Sequence, residues 1–241
     1  MSATLAPTRH ERSAPSWTHS RYYGLRRLRE AIDGAVEQYV RPRVADHESP
    51  VVVDLGCGGS PYRPIFDRLE CKYLAADLPG NDSAKIRIDP DSHRADLRDG
   101  CATVVLSTQV LEHVPSPGLY LDEAHRLCEP GGLLLLSTHG MFRHHPQPRD
   151  LWRWTGDGLR TLLAEHGWRV IELRGVLGFA AAAWGLLQDA MVMKLPRIKP
   201  LRQGAAVIMQ QGVGLLDLFY SDQQRQENAA VYLVVAEKIT P

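Results

Sequence analysis

The chain has 241 residues, of which 44% are hydrophobic and 23% charged. That balance excludes wholesale disorder and suits one generous domain. Lys plus Arg equals Asp plus Glu at 28 each, so no bulk charge draws the chain to nucleic acid. Cysteines stand at 57, 71, 101 and 128; none pairs at the C-x-x-C spacing of a zinc or redox site, and a reducing, cytoplasmic setting is expected. No run reaches the ~18–20 apolar residues of an integral membrane span. The N-terminus lacks the apolar stretch of a signal peptide.

Residues 1–16 are rich in Ser, Pro, Thr and charge and read as a flexible leader. Between Met1 and Arg43 eight arginines face four acids, the composition of a solvated helix face. A helical cap over 17–45 follows. From Tyr22 to Val40, Leu25, Leu28, Ile32, Val36 and Tyr39 recur every three or four positions, which predicts an amphipathic helix ended before Pro42.

From residue 46 the pattern changes. Short apolar runs recur at Val51–Leu55, Tyr73–Ala76, Ile86–Ile88, Val104–Leu106, Leu133–Leu136, Val170–Ile171 and Val231–Val235. Helical stretches at Pro61–Leu69, Gly118–Leu127 and Gly156–His166 lie between them. Alternation of this kind predicts βαβ units, a mostly parallel sheet and helices on both faces, a three-layer α-β-α sandwich of Rossmann-like kind. An apolar helical insertion at about 175–216 interrupts it. It is split by a basic linker holding Lys194, Arg197, Lys199 and Arg202. It could cover a pocket, form a homodimer surface, or touch a membrane or lipid-linked substrate.

Three segments carry chemistry. Asp54-Leu55-Gly56-Cys57-Gly58-Gly59-Ser60 follows an apolar strand and precedes a helix, where glycines let main-chain N–H groups approach a ligand. The next strand ends in Asp77-Leu78, an acid suited to both hydroxyls of a ribose. The fourth run closes in Ser107-Thr108-Gln109-Val110-Leu111-Glu112-His113. A nicotinamide reading is weaker, because Pro61 stands where a G-x-G-x-x-G loop needs glycine.

Together these segments resemble the class I S-adenosylmethionine-dependent methyltransferases, in particular their small-molecule, methyltransferase type 11-like branch. The likeness runs from about Val51 to Trp168, and Glu129-Pro130-Gly131-Gly132 matches the turn into the family's fifth strand. It implies a seven-stranded sheet whose last strand, Ala230–Lys238, is antiparallel. It implies S-adenosyl-L-methionine as cofactor, held by Asp54, Gly56, Cys57, Gly58, Asp77, Leu78, Asp91, Ser107 and Gln109, with Asp89 a rival to Asp91 for the adenine. Ser60 replaces a family glycine and Thr103 a family acid. Magnesium-dependent relatives carry Glu-x-x-Glu-His where this chain has Gln109-x-x-Glu112-His113. A neutral amide is a poor ligand for a hard cation, so no metal is expected.

The loop after the fifth strand, His139 to Thr155, is dense in His, Arg and Trp. His145 and His139 are the candidate bases for deprotonating an acceptor hydroxyl. O-methylation of a small molecule is the expected activity. The alternatives are N- or C-methylation, or a cofactor-binding protein that no longer methylates.

Overall fold

The computed structural model describes residues 12–146, 149–196 and 198–239, and of Lys199 the backbone alone. Residues 1–11 of the expected leader, Gln147 and Pro148 of the histidine loop, and Arg197 of the basic linker lie outside the described residues.

Helix α1 spans Tyr22–Ala35 and buries Leu28, Ala31, Ile32 and Ala35. The predicted helix does not stop at Pro42. A π-helical turn, Val36–Val40, leads into helix α2, Arg41–Ala45, with Pro42 in its first turn. The Arg41 amide reaches back to the Val36 carbonyl, so the chain stays helical up to Pro42.

The seven expected strands all form: β1 Val51–Leu55, β2 Lys72–Asp77, β3 Ile86–Arg87, β4 Ala102–Thr108, β5 Cys128–His139, β6 Trp168–Gly178 and β7 Ala229–Lys238. Their order across the sheet is β3-β2-β1-β4-β5-β7-β6. β1 to β5 pair in parallel, and β7 runs antiparallel between β5 and β6. Side chains alternate between two cores. Val53, Leu55 and Val105 enter one core; Val52, Val104 and Leu106 enter the other, under α1. Helix α3, Arg63–Phe66, is shorter than the predicted stretch; α4, Pro117–Leu127, and α5, Gly156–Glu165, follow the prediction closely. Thr103, placed where the family has an acid, is buried and accepts the Val51 amide at 3.2 Å, tying β4 to the start of β1.

The insertion begins later than the apolar pattern suggests. Gly175–Gly178 stay in β6, paired with β7, because Gly175 lets the chain pass within reach of the Arg225 carbonyl. A Cβ there would stand 1.9 Å from that oxygen. Two helices then fold back on each other, α6 Phe179–Lys194 and α7 Lys199–Asp217, followed by the short α8, Asp222–Glu227. Trp184 Nε1 donates to the Met209 carbonyl at 2.8 Å and ties the pair. The inner side packs Ala181, Ala182 and Gln188, whereas Phe179, Met191, Met193 and Ile208 are exposed. Among the described residues, no helix is long and apolar enough to cross a membrane.

Candidate active site

The parallel strands deliver the three motifs to one edge of the sheet, the place where open α/β folds bind ligands. The amides of Gly56 and Cys57 both donate to the Ala76 carbonyl, at 2.9 and 3.0 Å. This pins the glycine loop to the end of β2. Gly56 has φ +79°, and a Cβ there would meet Val110 Cγ2 at 2.7 Å. Only glycine satisfies both demands. The Gly58 amide donates to Asp77 Oδ2 at 2.8 Å, and Leu78 N donates to Oδ1 at 2.8 Å. Asn81 Nδ2 bridges Asp77 Oδ2 and the Gly58 carbonyl, 2.7 Å from each. Loop and carboxylate are therefore one assembly, and the space beside Gly58 is open.

Asp54 is buried at the end of β1. The Tyr73 hydroxyl donates to its Oδ2, while its buried Oδ1 has no hydrogen-bond partner among the described residues. Burial pushes its pKa up to about 7. Cys57 is buried too, and burial raises its thiol to about 12, so it is no nucleophile at neutral pH. Asp91 is exposed. Its rival Asp89 spends Oδ1 on closing the turn, accepting from the amides of Asp91 and Ser92 at 3.1 and 2.7 Å and from the Ser92 hydroxyl at 2.8 Å. The Ser107 hydroxyl is fully buried, 2.7 Å from the Tyr120 hydroxyl, which donates to the Leu55 carbonyl at 2.9 Å. Only its main chain is left for the groove. Gln109 takes the left-handed conformation, φ 57°. It donates from its amide to the Ser137 carbonyl at 2.8 Å and from Nε2 to Ser137 Oγ at 3.2 Å.

Beyond Gln109 a cavity opens, about 1000 Å³ with its mouth included. Its apolar walls come from Leu25 and Leu28 of α1, Val176 and Leu177 of β6, and Ala181 and Ala182 of α6. Leu177 adopts φ +62°, a conformation that a branched residue holds only under external constraint. Both candidate bases, His139 and His145, line the cavity together with Gln109 and Tyr62. The His139 ring stacks on Phe142, centroids 3.9 Å apart, and meets His145 edge-on at 5.8 Å. Burial holds the His139 pKa well below the usual histidine value. Burial first, then neighbouring His113, lowers His145 to about 4. Both imidazoles are therefore unprotonated at neutral pH. Asp150 supports the loop. It accepts the His145 amide at 2.7 Å and is gripped by the Arg153 guanidinium, 2.6 Å from each oxygen. That grip holds its pKa down at about 2.

Glu112 sits fully buried behind the histidines. Thr138 Oγ1 donates to its Oε2 at 2.9 Å. Its Oε1 lies 3.1 Å from His139 Nδ1, near enough to ion-pair though off the hydrogen-bonding axis. Burial lifts its pKa to about 7.

Several cavity residues escaped the sequence reading. Asp189 of α6 lies 3.0 Å from Arg143 Nε and 3.7 Å from an Arg21 guanidinium nitrogen. Gln188 Nε2 donates to the Ser20 carbonyl. Gln210 of α7 accepts the Tyr23 amide at 2.9 Å and donates to the His19 carbonyl at 2.7 Å. These bonds close the insertion over the N-terminal segment. The available signal was a lone acid at 189 inside an otherwise charge-free run.

The family model described as a methyltransferase domain matches residues 21–173, more than half of the chain. The chain belongs to the methyltransferase domain family. The chain is 28% identical over 161 residues to a ubiquinone biosynthesis O-methyltransferase of Cereibacter sphaeroides. That match covers 57% of this chain and 65% of the relative, so it spans just under two-thirds of the relative's length. Among solved structures, a loganic acid methyltransferase superposes with TM-score 0.56 at 8% identity, covering 93% of this chain and 96% of that one. The cyclase SpnF superposes with TM-score 0.55 at 13% identity, covering 88% and 81%. At these identities the likeness carries the fold alone.

Proposed function

We propose that the methyltransferase moves the methyl group of S-adenosylmethionine to a hydroxyl of a small-molecule acceptor, with a loop histidine as base. The observation that carries this reading is the cavity that joins Gln109, just past the end of β4, to the rings of His139 and His145. The relatives named for ubiquinone biosynthesis O-methylation support oxygen as the acceptor atom.

The residues present fit the cofactor. Asp54 Oδ1 is a buried acceptor awaiting a donor, as the ammonium of a methionine moiety would supply. Asp77 is fixed beside open space at Gly58, and its Oδ1, which accepts only the Leu78 amide, keeps lone-pair capacity for a ribose hydroxyl. When bound, the cofactor supplies an electrophilic methyl on a sulfonium. The glycine loop and Asp77 would orient it, and Asp91 and the main chain of Ser107 would hold its adenosyl part. His145 or His139 accepts the hydroxyl proton at its free ring nitrogen. Glu112 then balances the imidazolium of His139 across 3.1 Å. Positioning is worth ~7–11 kcal/mol of the barrier and a base perhaps 10²–10⁴-fold. Segment 17–45 and the insertion act as a cap that keeps water from the reacting atoms.

Titration calorimetry with S-adenosylhomocysteine, followed by mass-spectrometric screening of phenols and other hydroxylated acceptors, tests the proposal. Micromolar binding together with a product heavier by one methylene supports it. Tight binding without turnover on any acceptor would favour the non-methylating alternative.

A further inference from the structure

The far wall of the cavity carries a charge arrangement that methyl transfer does not require. Two arginines from separate segments, Arg21 before α1 and Arg143 in the histidine loop, converge on the single carboxylate of Asp189. All three side chains are largely buried, 15, 19 and 18% exposed. The match is poor. One oxygen, Asp189 Oδ2, serves both guanidiniums. Arg143 Nε and a terminal nitrogen of Arg21 are buried without a hydrogen bond among the described residues. Two guanidiniums offer ten N–H donors, whereas one carboxylate accepts about four. Leaving buried charged donors short of acceptors is costly.

We infer that Arg21 and Arg143 form a carboxylate clamp, and that the acceptor is a ring compound bearing a carboxylate as well as the hydroxyl to be methylated. This rests on the methyl-transfer reading of the same cavity. Charge decides the sign: two cations against one carboxylate leave the wall positive, while the nearby histidines are neutral. Arginine suits the task because its planar fork matches a carboxylate on two atoms. Placement links clamp to base. The Arg21 guanidinium lies 5.0 Å from the centroid of the Phe142 ring, and His139 stacks on the same ring at 3.9 Å. Phe142 stands between them, and Arg21, Arg143, His139 and His145 all line the one cavity. The apolar walls contributed by Leu25, Val176 and Ala182 suit its flat faces. Asp189 holds the two arginines in register until the anion arrives.

The probes are 4-hydroxybenzoate and its neutral isostere 4-hydroxybenzamide, titrated into the full chain with and without S-adenosylhomocysteine. The benzoate should bind at least tenfold tighter than the benzamide. Arg143→Met and Arg21→Met should erase that preference while S-adenosylhomocysteine affinity stays within twofold. Asp189→Asn, which removes the competing carboxylate, should tighten the benzoate severalfold; it also guards against a mere folding defect in the arginine variants. Equal binding of the two probes, or no binding of either, overturns the inference. Loss of S-adenosylhomocysteine affinity in the arginine variants also overturns it, because the clamp would then hold the cofactor's own carboxylate. Failure of the wild-type chain to bind S-adenosylhomocysteine, with the benzoate preference intact, would instead sink the methyl-transfer reading and leave the clamp standing.

Discussion

Asp77 and Asp54 divide the work at the cofactor end of the groove, and their environments predict different behaviour. Asp77 is half-exposed and already ordered by three donors. Replacing it with alanine should weaken S-adenosylhomocysteine binding by ~1–3 kcal/mol, the usual cost of an unpaired polar contact, about 5- to 150-fold by calorimetry. Unchanged affinity would remove it from the site. Asp54, lifted to about 7 by burial, is substantially protonated at pH 6.5. An ammonium beside it favours the carboxylate, so binding at pH 6.5 should release a proton. Titrations in buffers of different ionisation enthalpy measure that release, and Asp54→Asn should abolish it. His145, lowered to about 4, makes a prediction about rate. An ordinary histidine base loses activity as pH falls through about 6.5. Here the acid limb of kcat/KM for the acceptor, read at saturating cofactor so that Asp54 is already ionised, should lie well below that value. For stability the sign is the same: a depressed histidine pKa means the unfolded chain binds more protons, so this contribution is present above pH 6.5 and lost as pH falls toward 4. An acid limb near 6.5 would show that the loop does not bury its histidine. His145→Ala and His139→Ala should each lower turnover and spare cofactor affinity.

Two elements control the site from outside it. The glycine loop depends on the residue opposite: Gly56 must hold φ +79° with Val110 occupying the space a Cβ would need. Gly56→Ala should therefore destabilise the fold by ~1–3 kcal/mol in denaturant titration. Adding Val110→Ala should recover only part of the loss, since the backbone strain persists. The α6–α7 pair depends on Trp184, whose Nε1 bonds to Met209 and whose ring fills the place above Gly212. In Trp184→Ala, hydrogen exchange should accelerate across α7 while the central strands β4 and β5 keep their protection. Uniform acceleration over both would mean that the hairpin is part of the global folding unit.

At the scale of the whole molecule, the cavity is assembled from segments that surround the sheet. Segments at residues 20–28, 139–145, 176–189 and 210–213 meet around one cavity. A ligand bound to the folded chain alone stabilises it by mass action, ~2.7 kcal/mol at a hundredfold excess over Kd. Saturating S-adenosylhomocysteine should thus raise Tm by roughly 5–10 °C in a chain of this size.

The sequence by itself determined the sheet and its cofactor edge. Apolar runs such as Val51–Leu55 are short-range signals of buried parallel strands, and the glycine loop and Asp77 are bound by the local geometry of strand ends. It also set the chemistry of the loop, since His139 and His145 are legible as titratable groups wherever they land. The tertiary structure alone decided which of these groups is neutral, because pKa follows burial and burial is a property of packing. It decided that β6 runs on through Gly178, since pairing with β7 is a long-range contact that overrides the helical look of a Gly- and Ala-rich run. And it alone brought Arg21, Arg143 and Asp189 together: residues 122 and 46 positions apart carry no periodic signature of their meeting, which depends on how α6 folds back over α1.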